Sequence, residues 1–269
     1  MTPRFTVRLL ALALPLLAST AQAHRSWLLP SATVLSGKTP WVTVDAAVSN
    51  ELFSFEHVPV RLDGLQVTMP SGQPGKAENV ATGKLRSVFD VALTETGTWR
   101  LMTASTGLMA SWEENGERKR WRGSRDAFAK EVPAAASGLQ VTETSSRVET
   151  FVTASQPTTT VLQPSGKGLE LVQLTHPNDL VVGEAARFRL LMDGQPARGL
   201  EVEVVPGGKR YRDQSNEQVL KSDAHGEFSL TWPAAGMYWL SASLQDDKAL
   251  PPATQRRASY VVTLEVMSP

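Results

Sequence analysis

Apolar and polar positions alternate in short stretches along nearly the whole chain. Ser87-Val88-Phe89-Asp90-Val91-Ala92-Leu93 and Thr98-Trp99-Arg100-Leu101-Met102-Thr103-Ala104 repeat with period two, as does Ala185 to Met192, where Phe188, Leu190 and Met192 fall on one face. That period marks a strand with one buried face. Further strands are predicted over 41–48, 58–62 and 65–69, with strand character resuming near Val141 and over 149–154. The breaks between them are turn chemistry: Ser36-Gly37-Lys38-Thr39-Pro40, Asp63-Gly64, Pro70-Ser71-Gly72 and Thr96-Gly97. Turns this frequent predict antiparallel sandwiches rather than a helical or α/β fold.

Residues 112–131 break the rhythm. Trp112 to Arg125 is densely charged around Gly116 and Gly123, and Trp112 to Trp121 reads as a protruding charged hairpin or loop. Ser124 to Glu131 reads as a short helix, capped by Ser124 and stopped by Pro133. Gln163-Pro164-Ser165-Gly166-Lys167-Gly168 is the linker candidate. Beyond it, Asp193-Gly194 marks a hairpin, and strands recur from Leu169–Leu174 to Tyr260–Met267. Roughly seven strands in about 100 residues is the rhythm of an immunoglobulin-like sandwich. The expected fold is therefore all-β: two tandem antiparallel β-sandwich domains, 24–165 and 166–269, the second immunoglobulin-like, with a short helix and charged loop inserted in the first.

Residues 1–23 are excluded from this fold. Arg4 and Arg8 precede a short apolar run, Leu9 to Leu17, and Ala21-Gln22-Ala23 is a small-x-small cleavage pattern. The run is shorter than the about 20 residues a membrane-spanning helix needs. A signal peptide, export to the periplasm and no membrane span after cleavage are expected. Loss of Arg4 and Arg8 from a chain with 27 basic and 27 acidic residues leaves the remainder slightly acidic. Charge therefore gives no reason to expect nucleic acid as partner. The chain has no cysteine, so a metal site would rest on nitrogen and oxygen ligands.

Cleavage after Ala23 would make His24 the first residue. An amino-terminal histidine offers its α-amine and imidazole Nδ1 together, a chelate for a transition metal. The competing reading is an accident of the cleavage point, against which Trp27-Leu28-Leu29 supplies an apolar anchor close to the terminus. His57, in Glu51-Leu52-Phe53-Ser54-Phe55-Glu56-His57, is the candidate second imidazole or else a surface-loop histidine. Asp45, a lone acid in an apolar strand, is a candidate oxygen ligand or a buried hydrogen-bonding acid. His176, before Pro177, reads as a turn-holding or interdomain residue, and His225 as a solvated turn residue. Trp112 and Trp121 read as packing residues or as a docking surface. Val205-Pro206-Gly207-Gly208-Lys209 lacks the rest of a phosphate loop, and no nucleophile elbow is present.

The opening His24-x-x-Trp27-Leu28-x-Pro30 and the stretch Gly37 to Val42-x-Val44 carry a resemblance. So do Leu174 to Leu180, Val182-Gly183-Glu184, Tyr211-Arg212-Asp213, Ser222 to Gly226 and Pro233 to Leu240. Together they resemble the DUF4198 family, whose members are grouped with periplasmic components of cobalt and nickel uptake. The resemblance implies metal uptake or handling, and carries over no ligand beyond His24. The expectation is a non-enzymatic periplasmic accessory protein. It would capture a divalent cobalt, nickel, copper or iron ion through His24, His57 and Asp45, and pass it to a membrane transporter or outer-membrane receptor. A copper-brace metalloenzyme and a metal-free scaffold or adhesion module are the alternatives.

Overall fold

The computed structural model describes residues 24–269; the expected signal, residues 1–23, lies outside the described residues. The first strands are β1 (Arg25–Pro30), β2 (Val34–Leu35), β3 (Trp41–Ser49), β4 (Val58–Pro59), β5 (Leu65–Thr68), β6 (Glu78–Thr82) and β7 (Ser87–Ala92). The long strand β8 (Gly97–Glu114) turns into β9 (Glu117–Gly123). Helix α1 (Arg125–Glu131) follows, and β10 (Ser137–Ala154) returns along β8. After a 3₁₀ turn at Thr160–Leu162 come β11 (Leu169–Gln173), β12 (Ala185–Met192), β13 (Gln195–Pro196) and β14 (Glu201–Pro206). The chain ends with β15 (Gln218–Lys221), β16 (Glu227–Thr231), β17 (Gly236–Asp246) and β18 (Gln255–Val266).

These strands form three sheets. The first has the order β1-β3-β7-β6, with β4 beside β3. The central sheet runs β15-β14-β17-β18-β10-β8-β5, with β2 on β10 and β9 on β8. The third is β11-β12-β13, with β16 following β13 along the same side of β12, opposite β11. Successive side chains of a strand point to opposite faces, and the central sheet uses both. Tyr238, Leu240, Tyr260, Val262 and Phe151 enter a core shared with the third sheet. Trp239, Val261, Val148 and Val152 enter a core shared with the first. The chain is thus all-β and built as two β-sandwich units, and both units draw on one nine-stranded sheet.

The second unit is immunoglobulin-like. Its sheets, β11-β12-β16 against β15-β14-β17-β18, have that fold's strand arrangement. Tyr238, near the start of β17, donates its hydroxyl to Ala234 O at 2.8 Å, the tyrosine corner of such domains. The units are joined edge to edge by a parallel pairing from Thr142↔Gln255 to Thr150↔Thr263.

The inserted elements also appear. Ser124 Oγ accepts from Ala127 N at 3.2 Å and caps α1. Phe128 and Val132 pack with Leu108, Ala110, Val141 and Ala253 into a small third core, with Trp112 and Trp121 against it. The two tryptophans are therefore packing residues. The charged stretch is the hairpin of β8 and β9, an arm beyond the sandwich. Strands expected as separate pieces are continuous in β8 and β10, because the polar middles pair with each other, Ser105 with Ser146 and Gly107 with Thr144.

His176 both holds its turn and joins the units. Its Nδ1 accepts from Asn178 N at 3.2 Å, and its Nε2 lies 3.0 Å from Thr98 Oγ1 and 3.2 Å from Thr158 O. Burial lowers its pKa below the ordinary 6.5, against the opposing pull of Thr158 O and Asp179. A depressed pKa gives stability that is present above pH 6.5 and lost as pH falls through the native value. His176→Gln is expected to remove that acid-side loss. Thermal unfolding from pH 7.5 to 5 checks it, since parallel Tm profiles for the two proteins would contradict the assignment.

Candidate metal centre

Strand β1 is an edge strand, placed by its third and fourth residues. Trp27 and Leu28 are fully buried. Trp27 Nε1 donates to Ser49 Oγ at 2.9 Å, and Ser49 Oγ donates to Glu51 O at 2.7 Å. The register sets Trp27 opposite Ala47 and Arg25 opposite Ser49. His24 therefore stands at the end of β3, where the chain leaves into the 50–57 loop.

That loop folds over Trp27. Phe53 meets its ring edge-on at a centroid distance of 5.5 Å, and Phe55 lies tilted at 5.6 Å. Leu52 is buried in the same core. Glu56 Oε1 accepts from Asn50 N at 2.8 Å and Glu51 N at 2.7 Å, which ties the end of the loop to its beginning. Phe53 adopts φ 61°, a left-handed turn that packing of its ring holds in place. The loop then enters β4, Val58 opposite Val48. Because β1 and β4 approach the same end of β3 from its two sides, the residues preceding them meet. The His24 and His57 rings stack with centroids 3.9 Å apart and an interplanar angle of 1°.

Both histidines are exposed, so the pair is open to an incoming ion. A neutral imidazole binds a metal through an in-plane nitrogen lone pair. The two ring planes are parallel, so one ion cannot lie in both; joint capture requires one ring to turn out of the stack. If the chain starts at His24, its α-amine adds a third nitrogen. This all-nitrogen donor set suits copper, nickel, zinc or iron.

The structure does not bring Asp45 to this pair. Asp45 pairs with Leu29 across the strands, while the histidines sit beyond Ser49. Its Oδ1 lies 3.3 Å from Arg86 Nε, and the Arg86 guanidinium covers the Phe55 ring at 4.4 Å. Burial pushes the Asp45 pKa up, and the Arg86 charge pulls against it. Asp45 thus reads as the acid that holds Arg86 over the loop. Among the described residues there is no group of three or more His, Cys, Asp or Glu side chains arranged to hold an ion.

Several positioning residues are invisible in the sequence. Arg25 Nη2 pairs with Glu203 Oε1 at 2.5 Å and Glu217 Oε2 at 3.1 Å, and its guanidinium lies 5.4 Å over Trp239. Trp239 Nε1 donates to Ser26 O at 2.9 Å. Gly207 comes so close to Phe53 that a Cβ there would sit 3.0 Å from the ring. The second unit thereby braces the start of β1 and the loop, across more than 150 residues of sequence. Of the other candidates, His225 is exposed in a turn whose Asp223 Oδ1 accepts from His225 N at 2.8 Å. Tyr211 is 87% exposed, and Arg212 donates to Pro206 O, so 211–213 forms no cluster between the units.

The DUF4198 profile, described as a domain of unknown function, matches residues 21–246. No curated protein matches the chain. Among solved structures, the D0-D1 domain of intimin is similar at 11% identity, with 88% of this chain and 96% of that chain covered and a TM-score of 0.23. Escherichia coli alpha-2-macroglobulin activated by porcine elastase is similar at 13% identity, with 89% of this chain and 20% of that chain covered and a TM-score of 0.23.

Proposed function

Since the chain belongs to the DUF4198 family, described as of unknown function, we propose from the site itself that it is an exported metal-binding accessory protein. After cleavage before His24 it would capture a divalent transition-metal ion in the periplasm and pass it to a membrane transporter or outer-membrane receptor. The observation that carries this reading is the contact of His24 with His57, 3.9 Å between ring centroids, across 33 positions of sequence. Residues supplying the ligands are His24, through its α-amine and imidazole, and His57. Arg25, Trp27, Glu56 and Trp239 position them. Exposure and a low ligand number suit a site that must release its ion. No general base or nucleophile is needed for this role.

Calorimetric titration with copper, nickel and cobalt tests it, on protein beginning at His24 and on protein with one alanine added ahead of it. The added residue moves the amine off His24 and leaves the fold alone. Affinity is expected to fall at least about tenfold, a difference of roughly 1.4 kcal/mol. His57→Ala is expected to weaken binding as well. Equal affinity in all three proteins would overturn the proposal.

A further inference from the structure

The first sheet covers only part of its side of the central sheet. Strands β10 and β18 continue past it, and their side chains on that face change character. On β10 the face passes from Val148 to Ser146 and Thr144; on β18 it passes from Val261 to Ser259 and Arg257. The register sets Ser146 between Ser105 and Ser259, and Thr144 between Gly107 and Arg257. Strand β17 adds Ser243 and Gln245. An apolar sheet face thus becomes a floor of hydroxyls and amides.

Two adjoining clefts lie on this floor, of about 510 and 920 Å³, and both are lined by Ser105, Arg122 and Ser146. Either has the size of a small-molecule site. Arg122, on β9 opposite Met109, closes one side, and Arg257 stands at the other. Arg257 Nε donates to Gln245 Oε1 at 3.0 Å. Both arginines are exposed, and among the described residues neither is within ion-pair distance of a carboxylate. The smaller cleft has no acidic lining residue. The larger has one, Asp63, which is held by Arg61 at 2.7 Å. Two unpaired guanidiniums over a floor of hydroxyls ask for a ligand with carboxylates and many hydroxyl groups. No aromatic side chain lines either cleft, so the stacking platform of single-stranded nucleic acid is missing. The aromatic anchors of a protein interface are missing there too.

We propose that this tray binds an acidic oligosaccharide, its carboxylates on Arg122 and Arg257 and its hydroxyls on the serine and threonine floor. The proposal does not rest on the histidine pair, which lies at the same end of the first sheet as Ser26, Val48 and Pro59 of the larger cleft but lines neither cleft. Its test is titration of the full exported chain with oligogalacturonate, with maltooligosaccharide as a neutral sugar and polyglutamate as an acid without sugar hydroxyls. Oligogalacturonate is expected to bind with an affinity that falls as salt rises. The neutral sugar is expected not to bind, and polyglutamate to bind at least about tenfold more weakly. Arg122→Gln and Arg257→Gln are each expected to lower oligogalacturonate affinity about tenfold at unchanged Tm; Arg210→Gln, outside the tray, is expected to leave it unchanged. Absence of oligogalacturonate binding, equal binding of polyglutamate, or full affinity in both tray variants would overturn the proposal.

Discussion

Replacing Trp27 by alanine is expected to lower the unfolding free energy by about 3–5 kcal/mol and to separate His24 from His57. The side chain is fully buried and sits where three elements meet: β1, the end of β3 and the 50–57 loop. Its removal opens a cavity under Phe53 and Phe55 and leaves the Ser49 hydroxyl without its indole donor. A domain of ordinary stability, about 5–15 kcal/mol, loses a large share of it in one substitution. Trp27→Phe keeps most of the packing and loses the N–H, so a cost nearer 1 kcal/mol is expected from the missing hydrogen bond. Urea unfolding of both variants measures the costs. Proton NMR of the His24 and His57 rings follows the stack, whose ring-current shifts should vanish in Trp27→Ala and persist in Trp27→Phe. A Trp27→Ala protein as stable as wild type would show that the loop is anchored elsewhere.

The second large effect is expected at Glu170, whose replacement by glutamine should cost about 3–5 kcal/mol. Glu170 is 2% exposed and gathers an unusual number of donors. Arg147 Nη1 donates to Oε1 at 2.6 Å, as do Ser165 N at 2.9 Å and Ser165 Oγ at 2.8 Å. Gly166 N at 2.7 Å and Lys167 N at 3.3 Å donate to Oε2. The segment between the units is thus wrapped around one carboxylate. An amide cannot replace it, because its NH₂ would face the donors on one side, Gly166 and Lys167 N–H or Arg147 and Ser165, and either way the Arg147 charge loses its counter-ion. Burial pushes the Glu170 pKa up, but the Arg147 and Ser165 bonds outweigh it, and the net shift is below the ordinary 4.5. That stability is therefore present above pH 4.5 and lost as pH falls through the lowered native value. Urea midpoints at pH 7 and pH 3.5 check it: the gap between wild type and Glu170→Gln should narrow at the lower pH. A gap independent of pH would contradict the charge-based account.

Glu149 shows that burial alone does not decide the sign. It is also 2% exposed, but its direct partner is the Tyr260 hydroxyl, and its Oε2 has no hydrogen-bond partner in the protein. Desolvation wins there and raises its pKa. Two buried glutamates shift in opposite directions because one accepts directly from Arg147 and from Ser165 and the other accepts only from the Tyr260 hydroxyl.

The sequence by itself determined the class of the fold. Period-two alternation in 87–93, 98–104 and 185–192, cut by Gly, Pro and Asp turns, has a local cause, since each strand buries one face and each turn needs a particular backbone. The cap at Ser124 and the rhythm of the second unit were legible for the same reason. Local pattern also singled out His24, with His57 as its candidate second imidazole. What it did not carry is which strand lies beside which. Ser105 to Gly107 and Thr144 to Ser146 lie outside the strands that alternation marks, and only their mutual pairing makes them the middle of two 18-residue strands. The sharing of one sheet by both units rests on the parallel pairing of β10 with β18, more than 100 residues apart. The same holds for the candidate site. A histidine's type is written in the chain, but its neighbours are set by register, by Trp27 under the loop and by Arg25 and Trp239 across the seam. Asp45 looked close to the site along the strand, and register alone places it at Leu29, with Arg86 as partner. Alternation fixes a face within one strand, whereas a site needs distances between strands, and those follow from long-range packing.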